Sequence, residues 1–83
     1  MIYKNKNIVA WCPICDQGWV EILKDTNTSS LLVVCHECES EWISPDKIQV
    51  ETVLPYSTRT GPLTQANDNE LEEKGWEKFV LKI

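Results

Sequence analysis

The chain has 83 residues, 42% of them hydrophobic and 25% charged, with thirteen Asp and Glu against eight Lys and Arg. This length leaves room for one domain spanning residues 1–83 with one small core, and the composition excludes a disordered tail, a collagen-like repeat and a coiled coil. The formal charge of −5 repels phosphate backbones, which makes nucleic acid an unlikely partner and a basic protein a better one.

Lys4 and Lys6 near the N-terminus are not followed by an apolar stretch of signal-peptide length, because Ile8-Val9-Ala10-Trp11 runs straight into Cys12. A secretory leader is therefore not expected. The longest apolar run, Leu31-Leu32-Val33-Val34-Cys35, falls far short of the roughly 20 residues that cross a bilayer. The expected location is the cytoplasm, where thiols stay reduced.

Residues 8–11 read as a short strand, and Trp19-Val20-Glu21-Ile22-Leu23-Lys24 as a second, rich in β-formers. Asp25 to Ser30 is the turn between them and a third strand, the buried run Leu31 to Cys35, with Glu41-Trp42-Ile43 returning beside it. Pro45 closes this unit, as Ser44-Pro45-Asp46 predicts a cap and proline at the start of a helical turn. Residues 46–66 read as an irregular connection punctuated by Pro55, Gly61 and Pro62, with a strand around Val50, Val53 and Leu54 as the other option. In residues 67–83, Asn67-Asp68-Asn69-Glu70 forms a capping box, so a short helix should start near Asp68 and stop at Lys74. Gly75 suits a left-handed C-terminus, with Trp76 folding back onto Leu71. Phe79 to Ile83 then reads as a final strand that adds to the sheet.

Cys12-Pro13-Ile14-Cys15 and Cys35-His36-Glu37-Cys38 are separated by nineteen residues, a spacing typical of four-cysteine zinc sites. A two-residue gap lets both sulfurs of one tight turn point at a common centre, and two such turns close a tetrahedron around Zn²⁺. Cys12, Cys15, Cys35 and Cys38 are therefore the expected metal ligands, holding one structural Zn²⁺. Such a staple suits a chain this short, whose apolar burial barely offsets the entropy of ordering its backbone. Four thiolates and one Zn²⁺ add −2, bringing the loaded chain to about −7.

These paired knuckles resemble the zinc-ribbon family across residues 8–45, which implies a small mainly-β (α+β) zinc ribbon, completed here by one short C-terminal helix and a final strand. The resemblance also implies that the four cysteines are structural ligands. Many ribbons carry glycine directly after the second cysteine of a knuckle, whereas Asp16 and Glu39 stand there and Gly18 arrives late. Ribbons serve transcription, translation, enzymes and pure protein binding, so the scaffold alone leaves function open.

Rubredoxin-type iron uses the same ligand set, but its glycines are absent and the spacing here is short. A dithiol redox motif would need a βαβ pattern, and a disulfide scaffold an oxidising compartment; neither is indicated. His36 lies between two ligands and reads as a surface residue, with no serine or acid in catalytic spacing, so no enzyme is expected. Of the tryptophans Trp11, Trp19, Trp42 and Trp76, most belong to the core, and Glu41 and Glu77 beside two of them argue against base stacking.

The acids fall into two groups, Glu37-Glu39-Glu41 and Asp68-Glu70-Glu72-Glu73-Glu77. Each reads first as a solvated strand edge or helix face. Placed on one side of the fold, they would form an electronegative patch, with Glu37, Glu39, Glu41, Glu70 and Glu73 as candidate contacts for a basic protein. The expectation is a non-enzymatic zinc-binding protein-interaction module, most concretely an acidic immunity or antitoxin-like inhibitor of a basic bacterial toxin or nuclease. Two alternatives remain. One is a nucleic-acid or transcription-machinery ribbon that uses Lys4, Lys6, Lys24, Lys47 and Arg59 for phosphates; the other is a rubredoxin-like iron electron carrier.

Overall fold

A computed structural model describes residues 7–81. Strand β1 is Ile8–Trp11, β2 Trp19–Asp25, β3 Leu31–Cys35, β4 Glu41–Trp42 and β5 Leu63–Gln65, and the helix α1 is Asp68–Lys74. Three short 3₁₀ turns, Pro45–Lys47, Val50–Thr52 and Glu77–Phe79, complete the chain.

The antiparallel sheet is organised around β2. One edge of β2 pairs with β3 from Val20↔Cys35 to Lys24↔Leu31. Its other edge is shared end to end: β1 takes the first half, with Trp11 opposite Trp19, and β5 the second, with Leu23 opposite Gln65 and Asp25 opposite Leu63. β4 lies outside β3, with Val33 opposite Trp42 and Val34 opposite Glu41.

Because side chains alternate across a strand, β2 and β3 present two different faces. Val20, Ile22, Val33, Cys35 and Trp42 join Val9, Ala66, Leu71 and Trp76 in one apolar core. The opposite face carries three buried carboxylates, Glu21, Asp25 and Glu41, each about 2% exposed. Residues 57–60 cross this face and satisfy two of them. Glu41 accepts from the Ser57 hydroxyl at 2.6 Å and the Thr58 N–H at 3.0 Å, and Asp25 from the Thr60 N–H at 2.6 Å. α1 seals the core side, and this strap covers the acid side.

The capping signals of α1 act as expected, whereas Ser44 makes no side-chain cap to its 3₁₀ turn and donates instead to the Asp46 carboxylate. Asn67 Oδ1 accepts from the Glu70 N–H at 2.8 Å, and Glu70 Oε1 accepts from the Asn67 N–H at 2.8 Å. Gly75 has φ 72°, and the Trp76 N–H reaches the Leu71 carbonyl at 2.9 Å, closing the C-terminus onto the core.

Two expectations need correction. The connection over residues 46–66 is not wholly irregular: Leu63–Gln65 forms β5, and Val50 lies in a 3₁₀ turn. The half-edge of β2 left open by short β1 overrides the weak local preference of Leu63-Thr64-Gln65. The final strand is absent at Phe79, which lies in a 3₁₀ turn, and at Val80 and Leu81; Lys82 and Ile83 lie outside the described residues. Both edges of β2 are already taken, and the Leu81 N–H makes a single bond to the Ile8 carbonyl at 2.8 Å.

Candidate metal centre

Both cysteine pairs sit at the same end of the sheet. β1 runs into Cys12 and β3 ends on Cys35, so the hairpin register places one knuckle beside the other. Each knuckle is closed by matching backbone bonds. The Cys12 N–H donates to the Gly18 carbonyl at 2.9 Å and the Asp16 N–H to the Cys12 carbonyl at 3.2 Å. In the second knuckle, Cys35 donates to Ser40 at 2.8 Å and Glu39 to Cys35 at 3.1 Å. Amide protons also turn toward sulfur: Ile14 donates to Cys12 Sγ at 3.4 Å, Glu37 to Cys35 Sγ at 3.3 Å and Cys38 to Cys35 Sγ at 3.4 Å.

Asp16 and Glu39, which stand where glycine is common, both adopt left-handed backbone, with φ of 54° and 62°. The knuckle turn is therefore kept without its glycine, at about 1–2 kcal/mol per residue. Each carboxylate is anchored, Asp16 by the Trp11 indole N–H at 2.6 Å and Glu39 by the Arg59 guanidinium at 2.5 Å. Gly18 serves a different end: a Cβ there would stand 2.6 Å from Glu37 Cγ and 3.1 Å from Cys35 Sγ. Only a hydrogen lets the two knuckles approach this closely.

The four sulfurs lie within 4.8 Å of one another. Cys12 and Cys38 are 3.7 Å apart, and Cys15 and Cys35 are 3.6 Å apart. Sulfurs placed about 2.3 Å from a common centre at tetrahedral angles stand about 3.8 Å apart. A disulfide would bring them to about 2.05 Å. The donor set thus has the dimensions of a metal tetrahedron, and its soft thiolate chemistry suits zinc or iron.

The electrostatics differ from sulfur to sulfur. As free thiols, Cys12 is pushed up by burial, and Cys35 is pushed up by burial to about 12. Burial also works against Cys38, but hydrogen bonds with Ser40, Cys35 and Cys15 outweigh it and bring the thiol down to about 7. Four thiolates in this space need a divalent ion to balance them, and loading releases protons. All four corners come from the chain, leaving no position for a reactive water.

The five candidate acids do not converge. Glu37 and Glu39 are exposed beside the second knuckle, whereas Glu41 is buried under the strap. Glu70 is half-buried and serves the helix cap and a 2.6 Å ion pair with Lys24. Lys24 acts first, and with the Asn67 N–H holds that carboxyl below the ordinary glutamate range. Glu73 is exposed on α1, lining an open polar cavity with Lys24, Ser29 and Leu31. Leu31 and Cys35 are the two ends of β3, about 13 Å apart along a strand, so the two acidic groups lie at opposite ends of the hairpin.

His36 is exposed, with Nδ1 3.8 Å from Glu21 Oε1. Trp42 and Trp76 are core residues. Trp11 is 45% exposed next to Cys12, packed edge-on against Trp19 with 4.9 Å between ring centroids. Arg59, expected only as a phosphate contact, has a structural role: it bridges Glu39 and, at 3.6 Å, Glu41, tying the strap to the knuckle. Lys24 and Arg59 are thus engaged within the fold, while Lys4 and Lys6 lie outside the described residues. No protein-family model, curated protein or solved structure matches the chain.

Proposed function

We propose that this chain is a non-enzymatic zinc-binding module of the zinc-ribbon kind, whose metal is structural and whose task is to bind a basic protein. The carrying observation is the closed set of four sulfurs, with cross-knuckle separations of 3.7 and 3.6 Å. Thiolates filling every corner make the ion a staple for a core of modest size.

The partner reading rests on charge and exposure. The knuckle end gathers the exposed acids Asp16, Glu37 and Glu39, the last already paired with Arg59, and a zinc–tetrathiolate unit would add a further −2. Trp11 and Ile14, 45% and 41% exposed, stand beside them. An acidic rim around an exposed aromatic fits an Arg- or Lys-bearing protein surface, because the rim steers the encounter and the ring receives the cation. A basic toxin or nuclease, neutralised by an acidic inhibitor, is the most concrete partner of this chemistry. Phosphate binding has less to draw on, since Lys24 and Arg59 already pair with carboxylates.

Two measurements test this. Zinc-loaded protein used as bait should return a basic protein whose capture weakens as salt rises and is reduced in Trp11→Ala. Capture unchanged in Trp11→Ala, or binding to RNA or DNA at low salt, would overturn the partner reading.

A further inference from the structure

The four sulfurs are unequally protected. Cys12 and Cys35 are fully buried, Cys15 is half-buried, and Cys38 is exposed. The buried pair takes the amide protons of Ile14, Glu37 and Cys38, which shield and damp those sulfurs. Cys38 meets the Ser40 hydroxyl at 3.2 Å, and the Cys12 sulfur stands 3.7 Å away in the other knuckle. An oxidant arriving from solvent therefore finds one exposed sulfur with the buried Cys12 sulfur 3.7 Å from it.

We propose that Cys38 is an oxidative modification site, attacked first by hydroperoxides, and that Cys12 then closes a cross-knuckle disulfide that dismantles the metal site. This rests on the four cysteines holding zinc, since a metal-bound thiol is deprotonated and nucleophilic where an ordinary thiol is mostly protonated. The Cys38 thiolate attacks one oxygen of hydrogen peroxide; the S–O bond forms, the O–O bond breaks, and the departing hydroxide takes a proton to become water. The Cys12 thiolate then attacks the Cys38 sulfur, the S–S bond forms, and the second hydroxide leaves as water. Two electrons pass from the sulfur pair to the peroxide. Cys15 and Cys35 remain as two ligands, too few to retain the ion.

Protein shown by native mass to carry one zinc is treated with less than one equivalent of hydrogen peroxide, with a chromogenic zinc indicator present. A cyclic diketone traps nascent sulfenate in a parallel sample, and both samples are digested after Lys24 and Lys47 and mapped. The expected result is a diketone adduct on Cys38, a first disulfide joining the two cysteine-bearing peptides through Cys12 and Cys38, and one zinc released per disulfide. An adduct first on Cys15 or Cys35, or a first disulfide within one knuckle, would overturn the assignment. A starting preparation that carries no zinc contradicts the metal reading itself, before any oxidant is added, and takes the assignment with it.

Discussion

The knuckle end and the strap face are both built from groups that are costly to bury, but they are compensated differently. At the knuckles, four sulfurs with S···S contacts of 3.6 and 3.7 Å form a possible metal site, and as thiolates they would be balanced by an ion from outside the chain. On the strap face, Glu41 and Asp25 are met by the chain's own N–H, hydroxyl and guanidinium donors, supplied by residues 57–60. The first region should depend on metal supply, and the second on long-range chain closure. Arg59, touching both Glu39 and Glu41, is the joint between them.

The largest expected effect is at the knuckles. Replacing Cys35 by Ala removes a buried member of the proposed site, at which a structural zinc would contribute about 10–16 kcal/mol of apparent binding free energy. The variant should lose its near-UV circular dichroism and its cooperative thermal transition; wild-type melting would contradict the staple. Gly18→Ala forces a Cβ to within 2.6 Å of Glu37 Cγ, an overpacking of about 1–3 kcal/mol. Its zinc affinity, measured by competition with a chelator, should fall, and Glu37→Ala in the same chain should restore part of it.

On the strap face, Glu41→Ala leaves the donors of Ser57 and Thr58 without their acceptor and Arg59 with Glu39 alone, a loss of about 1–3 kcal/mol. Denaturant unfolding should show the loss with zinc still bound one to one. Loss of zinc from this variant would show that the two regions are not separable.

The legible parts are those whose signal is local. Two Cys-x-x-Cys pairs state their own ligand geometry, and Asn67, Glu70 and Gly75 mark both ends of α1 within nine residues. Glu41 is buried where a solvated strand edge is expected, because the two kinds of acid look alike in sequence until the donors covering it, sixteen or more residues away, are in place. β5 and the missing final strand have the same origin: which segment occupies the free half of β2 is decided by sheet closure, and β propensity carries little of that information. The left-handed Asp16 and Glu39 show the converse, since the knuckle imposes its turn on residues that do not favour it.

The smallest effect is a pH response confined to the strap. The Thr60 N–H, with Asn27 and the Thr60 hydroxyl assisting against burial, holds the Asp25 carboxyl below its ordinary range. A carboxyl with a depressed folded-state pKa stabilises the fold fully above its unfolded value, about 3.9, and this contribution is lost as pH falls through the folded value. Hydrogen exchange at the Thr60 amide should therefore lose protection on acidification below about pH 4. In Asp25→Asn that protection should be weaker throughout, without the same acid step; an identical step in the variant would assign the response elsewhere.

Whether the four cysteines hold one zinc ion as a structural staple is decided by native mass spectrometry with elemental analysis, before and after a strong chelator. The expected result is one zinc per chain and a compact charge-state distribution that becomes broad and highly charged once the ion is stripped. Iron in its place, or a metal-free chain that stays compact, would contradict it.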